Sequence, residues 1–165
     1  MARPLDEIDV RLLHELEVDA DRPNVELARL VGLSPAATMN RIRRLKESGV
    51  IRKIAARLDS GAAGFPLQVY ILVTLARHET TPTKRFRETV AALPHVIAAD
   101  EVTGDVDAVL LVVARDVAEL QYVLARLSTQ GGATRLVTLL RLDELKPSGP
   151  LPLADEPGRT TPRRP

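Results

Sequence analysis

In the first third of the chain, apolar positions recur at helical spacing between polar caps. Ile8, Leu12, Leu13 and Leu16 make one face behind Asp6, a good N-cap residue. Val25, Ala28 and Val31 make a second face, opened by Pro23 and Asn24 and broken by Gly32. Thr38, Ile42 and Leu45 make a third stripe, spaced i, i+4, i+7. Ser34 caps that third segment, Pro35 fits its first turn, and Gly49 is placed to stop it just beyond Ser48. The pattern predicts three short helices over residues 5–48. The second and third, of about eight and about fourteen residues joined by a turn with a glycine, have the layout of a helix-turn-helix. An ordinary helical hairpin in a small bundle has the same spacing.

Beyond this region the period changes. Residues 50–58 alternate Ile51, Ile54 and Leu58 with Arg52, Lys53 and Arg57, and are expected to form a strand, as a wing or a connector. Residues 60–64 are glycine and alanine behind one serine, which suits a hinge. Strands are then expected over residues 67–75, 96–103, 107–114 and 133–142, and helices over 83–93 and 117–127. That order is the ferredoxin-like split βαβ arrangement. The fold class read from the chain is α+β: an N-terminal (winged) helix-turn-helix domain over residues 1–60, a hinge over 61–66, and a ferredoxin-like βαββαβ domain over 67–145. Residues 146–165 are Pro-rich and polar, with too few apolar groups to fold, so a disordered tail is expected. Its arginines are more simply solvated than bound to phosphates.

Strand faces carry a further consequence. Leu67, Val69, Ile71, Val73 and Leu75 share one face of the first strand, while Tyr70 and Leu72 share the other. Residues 108–114 are apolar on both faces. Two helices cover only one side of a four-stranded sheet, so the other side needs a partner. Sheet-to-sheet homodimerisation meets that need, and its two-fold axis would present two reading helices to a pseudo-palindromic site.

Charge sharpens the reading of the third helix. The formal net charge of the 165-residue chain is only +1, so any nucleic-acid contact must come from a local patch. That patch lies between Arg41 and Arg57, where Arg41, Arg43, Arg44, Lys46, Arg52, Lys53 and Arg57 face one acid, Glu47. The candidate DNA-binding residues are Ser34, Ala36, Ala37, Asn40, Arg41, Arg43, Arg44, Lys46 and Lys53. The small residues near the helix start admit the groove, Asn40 suits an adenine, and an arginine suits a guanine. The basic groups neutralise phosphates. An aromatic fraction of 2% disfavours stacking on bases.

There are no cysteines, which excludes disulfides, thiol catalysis and cysteine-bound metal, and fits a cytoplasmic protein. No apolar run has the length of a signal peptide or a membrane span. Small-ligand chemistry points to the turn after the second strand of the α/β domain. Gly104 there admits close backbone approach, and the carboxylates of Asp105 and Asp107 suit an ammonium group. Gly-Asp is equally good turn chemistry, and the residues alone favour that plainer reading.

Four stretches in order resemble the Lrp/AsnC family of feast/famine transcriptional regulators over nearly the whole chain except the tail. They are residues 5–16, 27–34, 41–51 and 103–107, beginning Leu5-Asp6-Glu7-Ile8-Asp9 and ending Thr103-Gly104-Asp105-Val106-Asp107. The resemblance implies an AsnC-type helix-turn-helix that contacts double-stranded DNA through residues 24–44. It also implies dimers that assemble to tetramers or octamers, no membrane association, and an amino acid or related metabolite as effector. The effector site it implies lies between dimers and uses Thr103, Gly104, Asp105 and Asp107, with Thr138 of the last strand; no cofactor or metal is expected. Residues 128–133 depart from the family's usual stretch before the last strand, which bears on the effector. Localisation is expected to be cytoplasmic, on the nucleoid. Two rival functions share the architecture: a nucleoid-type protein with little sequence choice, and an enzyme similar to siroheme decarboxylases. The enzyme would need convergent acid–base groups, whereas His14, His78 and His95 are scattered, so no catalytic residue is assigned.

Overall fold

A computed structural model describes residues 4–76 and 82–153, which divide into two compact units. The N-terminal unit holds α1 (Glu7–Val18), α2 (Asn24–Val31) and α3 (Pro35–Glu47). α1 begins with a reciprocal cap. The Asp6 carboxylate accepts from the Asp9 N–H at 2.9 Å, and the Asp9 carboxylate accepts from the Asp6 N–H. Two otherwise orphaned donors are satisfied. α2 ends at Gly32, whose φ of 70° turns the chain left-handed so that its N–H closes on the last carbonyls. The Ser34 hydroxyl oxygen accepts from the Ala37 N–H at 3.2 Å and starts α3.

Leu12, Leu27 and Val31 form the core of this unit, ringed by Ile8, Leu16, Leu33 and Ile42. Thr38 is fully buried, and its hydroxyl donates to the Ser34 carbonyl at 3.1 Å, so it costs the apolar stripe no unpaired group. Val25, read as part of the α2 stripe, is instead exposed, and Leu27 takes the buried place. The strand expected over residues 50–58 does not form. A strand needs a neighbour for its backbone groups, and no described strand pairs with this segment. Ile51 alone is drawn in, its N–H donating to the Leu45 carbonyl, while Val50, Ile54 and Leu58 stay exposed. Of the tail, residues 146–153 run without helix or strand, and the Leu151 N–H donates to the Glu17 carboxylate at 3.0 Å. Residues 154–165, with the tail's arginines, lie outside the described residues.

The C-terminal unit holds β1 (Leu67–Leu75), α4 (Pro82–Ala91), β2 (Val96–Glu101), β3 (Ala108–Ala114), α5 (Val117–Thr129) and β4 (Ala133–Leu140). The βαββαβ order is as expected, in an antiparallel sheet of order β2-β3-β1-β4. β2 and β4 each stop two residues before the expected end. Val69, Ile71 and Val73 of β1 and Ala108, Leu110 and Val112 of β3 pack on Phe86, Leu93, Val123 and Leu127 from the helical side. The opposite face is a grid set by the register. Leu72 sits between Val109 and Val137, and Tyr70 between Leu111 and Leu139. No described helix of this unit covers it, and Tyr70 and Leu139 are 39% and 47% exposed. The segment read as a hinge closes into successive turns, with the Asp59 carboxylate accepting from the Ala62 N–H at 2.6 Å.

Candidate nucleic-acid interface and ligand site

α3 is fixed at its start by Asn24, whose amide donates to the Pro35 carbonyl at 2.9 Å and ties the beginnings of α2 and α3 together. Its outward face exposes Ser34, Ala36, Met39, Asn40, Arg43, Arg44, Lys46 and Glu47, while Ala37 is half-buried. Arg44, Lys46 and Lys53 project from exposed positions, as phosphate contacts require.

Arg41 departs from its expected role. Its Nη1 donates to both oxygens of Asp6, at 2.9 and 2.7 Å, and to Oδ1 of Asp9 at 2.7 Å, with the side chain only 19% exposed. The hydrogen bonds to Asp6 and then Asp9 raise the pKa of its guanidinium above its ordinary value. Arg41 is therefore a strut between α3 and the capped start of α1, with its Nη1 committed to the two carboxylates. Its place at the edge of the buried stripe was the available signal. The two acids that claim it lie more than thirty residues earlier.

Asn40 is also altered by a neighbour. Arg43 Nη2 donates to Asn40 Oδ1 at 3.0 Å, and Arg43 Nε lies 3.9 Å from the Glu47 carboxylate. Bidentate reading of adenine needs both the acceptor and the donor of an asparagine. Here Arg43 occupies one lone pair of that oxygen, and the amide keeps its two N–H donors.

In the C-terminal unit, Gly104 has φ of 119° and open space where a Cβ would sit. The turn needs glycine for its backbone shape, and no atom of the described residues crowds the place of a Cβ. Thr103 and Asp105 are exposed beside it. Asp107 has a structural task. Its N–H donates to the Val73 carbonyl at 2.8 Å, and its Oδ2 accepts from the Leu75 N–H at 2.7 Å. That N–H lies beyond the last β1–β3 pair, Val73 with Ala108. Thr138 pairs with Ile71, whereas the hairpin is fastened at Val73. Two strand spacings and two residues separate Thr138 from the hairpin base, more than about 10 Å. One chain does not bring Thr138 to the Thr103–Asp105 turn.

The sequence reading missed a second concavity, of about 360 Å³, between α4 and β2. Phe86, Val90 and Ala99 line it, and Arg87 and Glu101 pair across it at 2.6 and 3.1 Å. The hydrogen bond to Glu101 raises the pKa of Arg87 above its ordinary value. Their fourteen-residue separation left no periodic signal. His14 is exposed on α1, and His78 lies outside the described residues. His95 Nε2 is 3.6 Å from the Glu119 carboxylate, which the Arg115 backbone N–H holds below its ordinary 4.5. Among the described residues no group of three or more His, Cys, Asp or Glu is placed to hold a metal ion.

Residues 5–46 match the family profile of the AsnC-type helix-turn-helix domain, and residues 68–151 that of the Lrp/AsnC ligand binding domain. The HTH-type transcriptional regulator AldR of Mycolicibacterium smegmatis is 35% identical over 151 residues, covering 91% of this chain and 88% of that protein. The leucine-responsive regulatory protein of Rhizobium meliloti is 35% identical over 143 residues, covering 86% of this chain and 92% of that protein. A transcriptional regulator of Neisseria meningitidis, crystallised as a complex with L-methionine, superposes with a TM-score of 0.84 at 28% identity. That superposition covers 92% of this chain and 98% of the other.

Proposed function

The chain belongs to the Lrp/AsnC family of transcriptional regulators, and from that premise we propose that it reads a pseudo-palindromic DNA site as a homodimer controlled by an amino acid or related metabolite. The observation that carries the reading is α3. Its buried stripe, Thr38, Ile42 and Leu45, seats the helix, and Ala36, Asn40, Arg43 and Arg44 are left outward. Arg44, Lys46 and Lys53 supply phosphate contacts, and the N-terminal half of the helix reads bases.

Dimerisation uses the uncovered sheet face around Leu72 and Leu111, with further assembly to tetramers or octamers. The effector sits at Thr103, Gly104 and Asp105, with Thr138 supplied by a second copy, since one chain holds them apart. Asp107 shapes that turn instead of touching the effector. The protein acts in the cytoplasm, on the nucleoid, without a cofactor and without catalysis. Among the described residues no helix is long and apolar enough to cross a membrane.

The test is competition binding of the full-length protein at fixed salt, its own upstream region against random duplex. Preference for the former is expected, with Arg43→Ala plus Arg44→Ala weakening binding about a hundredfold and leaving the oligomer unchanged. Equal affinity for both duplexes makes it an architectural protein. Unchanged affinity in the double variant removes the proposed reading face.

A further inference from the structure

The outward face of α3 carries one large apolar side chain that the fold does not use. Met39 is 60% exposed, whereas Thr38 beside it is 0% and Leu45 5% exposed. The core of the unit closes without it. It stands one turn from Ala36 (i−3) and one turn from Arg43 (i+4), so these three side chains are surface neighbours. Asn40 lies next to this patch, with Arg43 donating to its Oδ1 at 3.0 Å, and its amide supplies two N–H donors.

An apolar group beside a donor has one complement in the major groove. Thymine shows a methyl group next to the O4 acceptor. Guanine and adenine show acceptors without a methyl, and cytosine shows a donor. A thioether is unbranched and adaptable, and follows such a surface well.

Resting on the DNA-reading proposal above, we infer that Met39, backed by Ala36, recognises the 5-methyl group of a thymine in each half-site, with Asn40 donating to O4 of that base. Met39 is thus a specificity-determining residue.

The experiment starts from duplexes selected from a random pool by the full-length protein. Each thymine of the consensus is then replaced by deoxyuridine, which removes only the methyl group. Burying a methyl-sized group is worth about 0.8 kcal/mol, or about fourfold in affinity. One symmetric pair of thymines is expected to show about that loss per half-site with the wild-type protein. Met39→Ala should bind the thymine duplex about fourfold per half-site more weakly and be indifferent to deoxyuridine there. Met39→Leu should keep the discrimination. Because Met39 is exposed, both variants should melt as the wild type does. The inference is overturned if wild type ignores deoxyuridine at every position, or if Met39→Ala discriminates as wild type does. A pool that yields no enriched sequence instead removes sequence-specific reading itself, and this inference with it.

Discussion

In the N-terminal unit, the groups that shape the reading face come from about forty consecutive residues: a capped α1, the Asn24 tie, the Ser34 cap and the Arg41 strut. The C-terminal unit has a finished core but two unfinished surfaces. Its apolar grid around Leu72 is covered by no described helix of the unit, and its candidate effector residues stand apart. A reading head can be complete in one chain because recognition needs one helix held at a fixed angle. A sensor that reports on assembly gains by being incomplete in one chain, because the ligand then stabilises the copies it joins.

The largest expected effect tests the cover. Leu72→Asp places a carboxylate at the centre of the grid, between Val109 and Val137, without touching the helical side of the sheet. Sedimentation should show monomers with the native circular-dichroism spectrum. DNA affinity should fall by about 10² or more, because two linked heads bind far more tightly than one. Leu72→Lys should behave alike. If both variants stay oligomeric and bind DNA normally, this sheet face does not join the copies, and the contrast between the units fails.

Legibility in the sequence followed the same divide. Helix starts and stops were readable because Asp6, Ser34, Pro35 and Gly32 act on backbone groups within four residues. The sheet order followed from alternation and from the turn at Gly104. What escaped were interactions between residues far apart in the chain. Arg41 has the composition and helix position of a phosphate contact until Asp6 and Asp9 are placed beside it. Residues 50–58 alternate like a strand, yet alternation supplies no neighbour to bond. The distance between Thr138 and the hairpin within one chain had no local signal either, although the resemblance implied a site lying between dimers.

A smaller effect sharpens the account of α3. Arg41→Ala removes the strut and leaves Asp9, itself 8% exposed, without its cation. Tm is expected to drop by about 5 °C, and affinity for the selected duplex by about tenfold as α3 loses its seat. The slope of log affinity against log salt should stay that of wild type, because no phosphate contact is lost. Arg44→Ala is the control, with a slope shallower by about one contact. A shallower slope for Arg41→Ala would return Arg41 to the DNA surface and make the strut incidental.

The smallest effect concerns the effector, and it bears most directly on where the site is completed. In a thermal-shift panel of the twenty amino acids, L-methionine included, at least one should raise Tm by a few degrees at ten times its Kd, since binding there contributes about 1.4 kcal/mol. Asp105→Ala and Thr138→Ala should each lose most of that shift while binding DNA normally. The decisive sample is the mixture of the two variants after their subunits have exchanged. If Asp105 of one copy works with Thr138 of another, a mixed pair contains one site with both residues intact, and part of the shift returns. If each site lies within a single chain, every site in the mixture carries one defect and nothing returns. Recovery thus places the sensor between copies, while its absence would make the C-terminal unit as self-contained as the reading head.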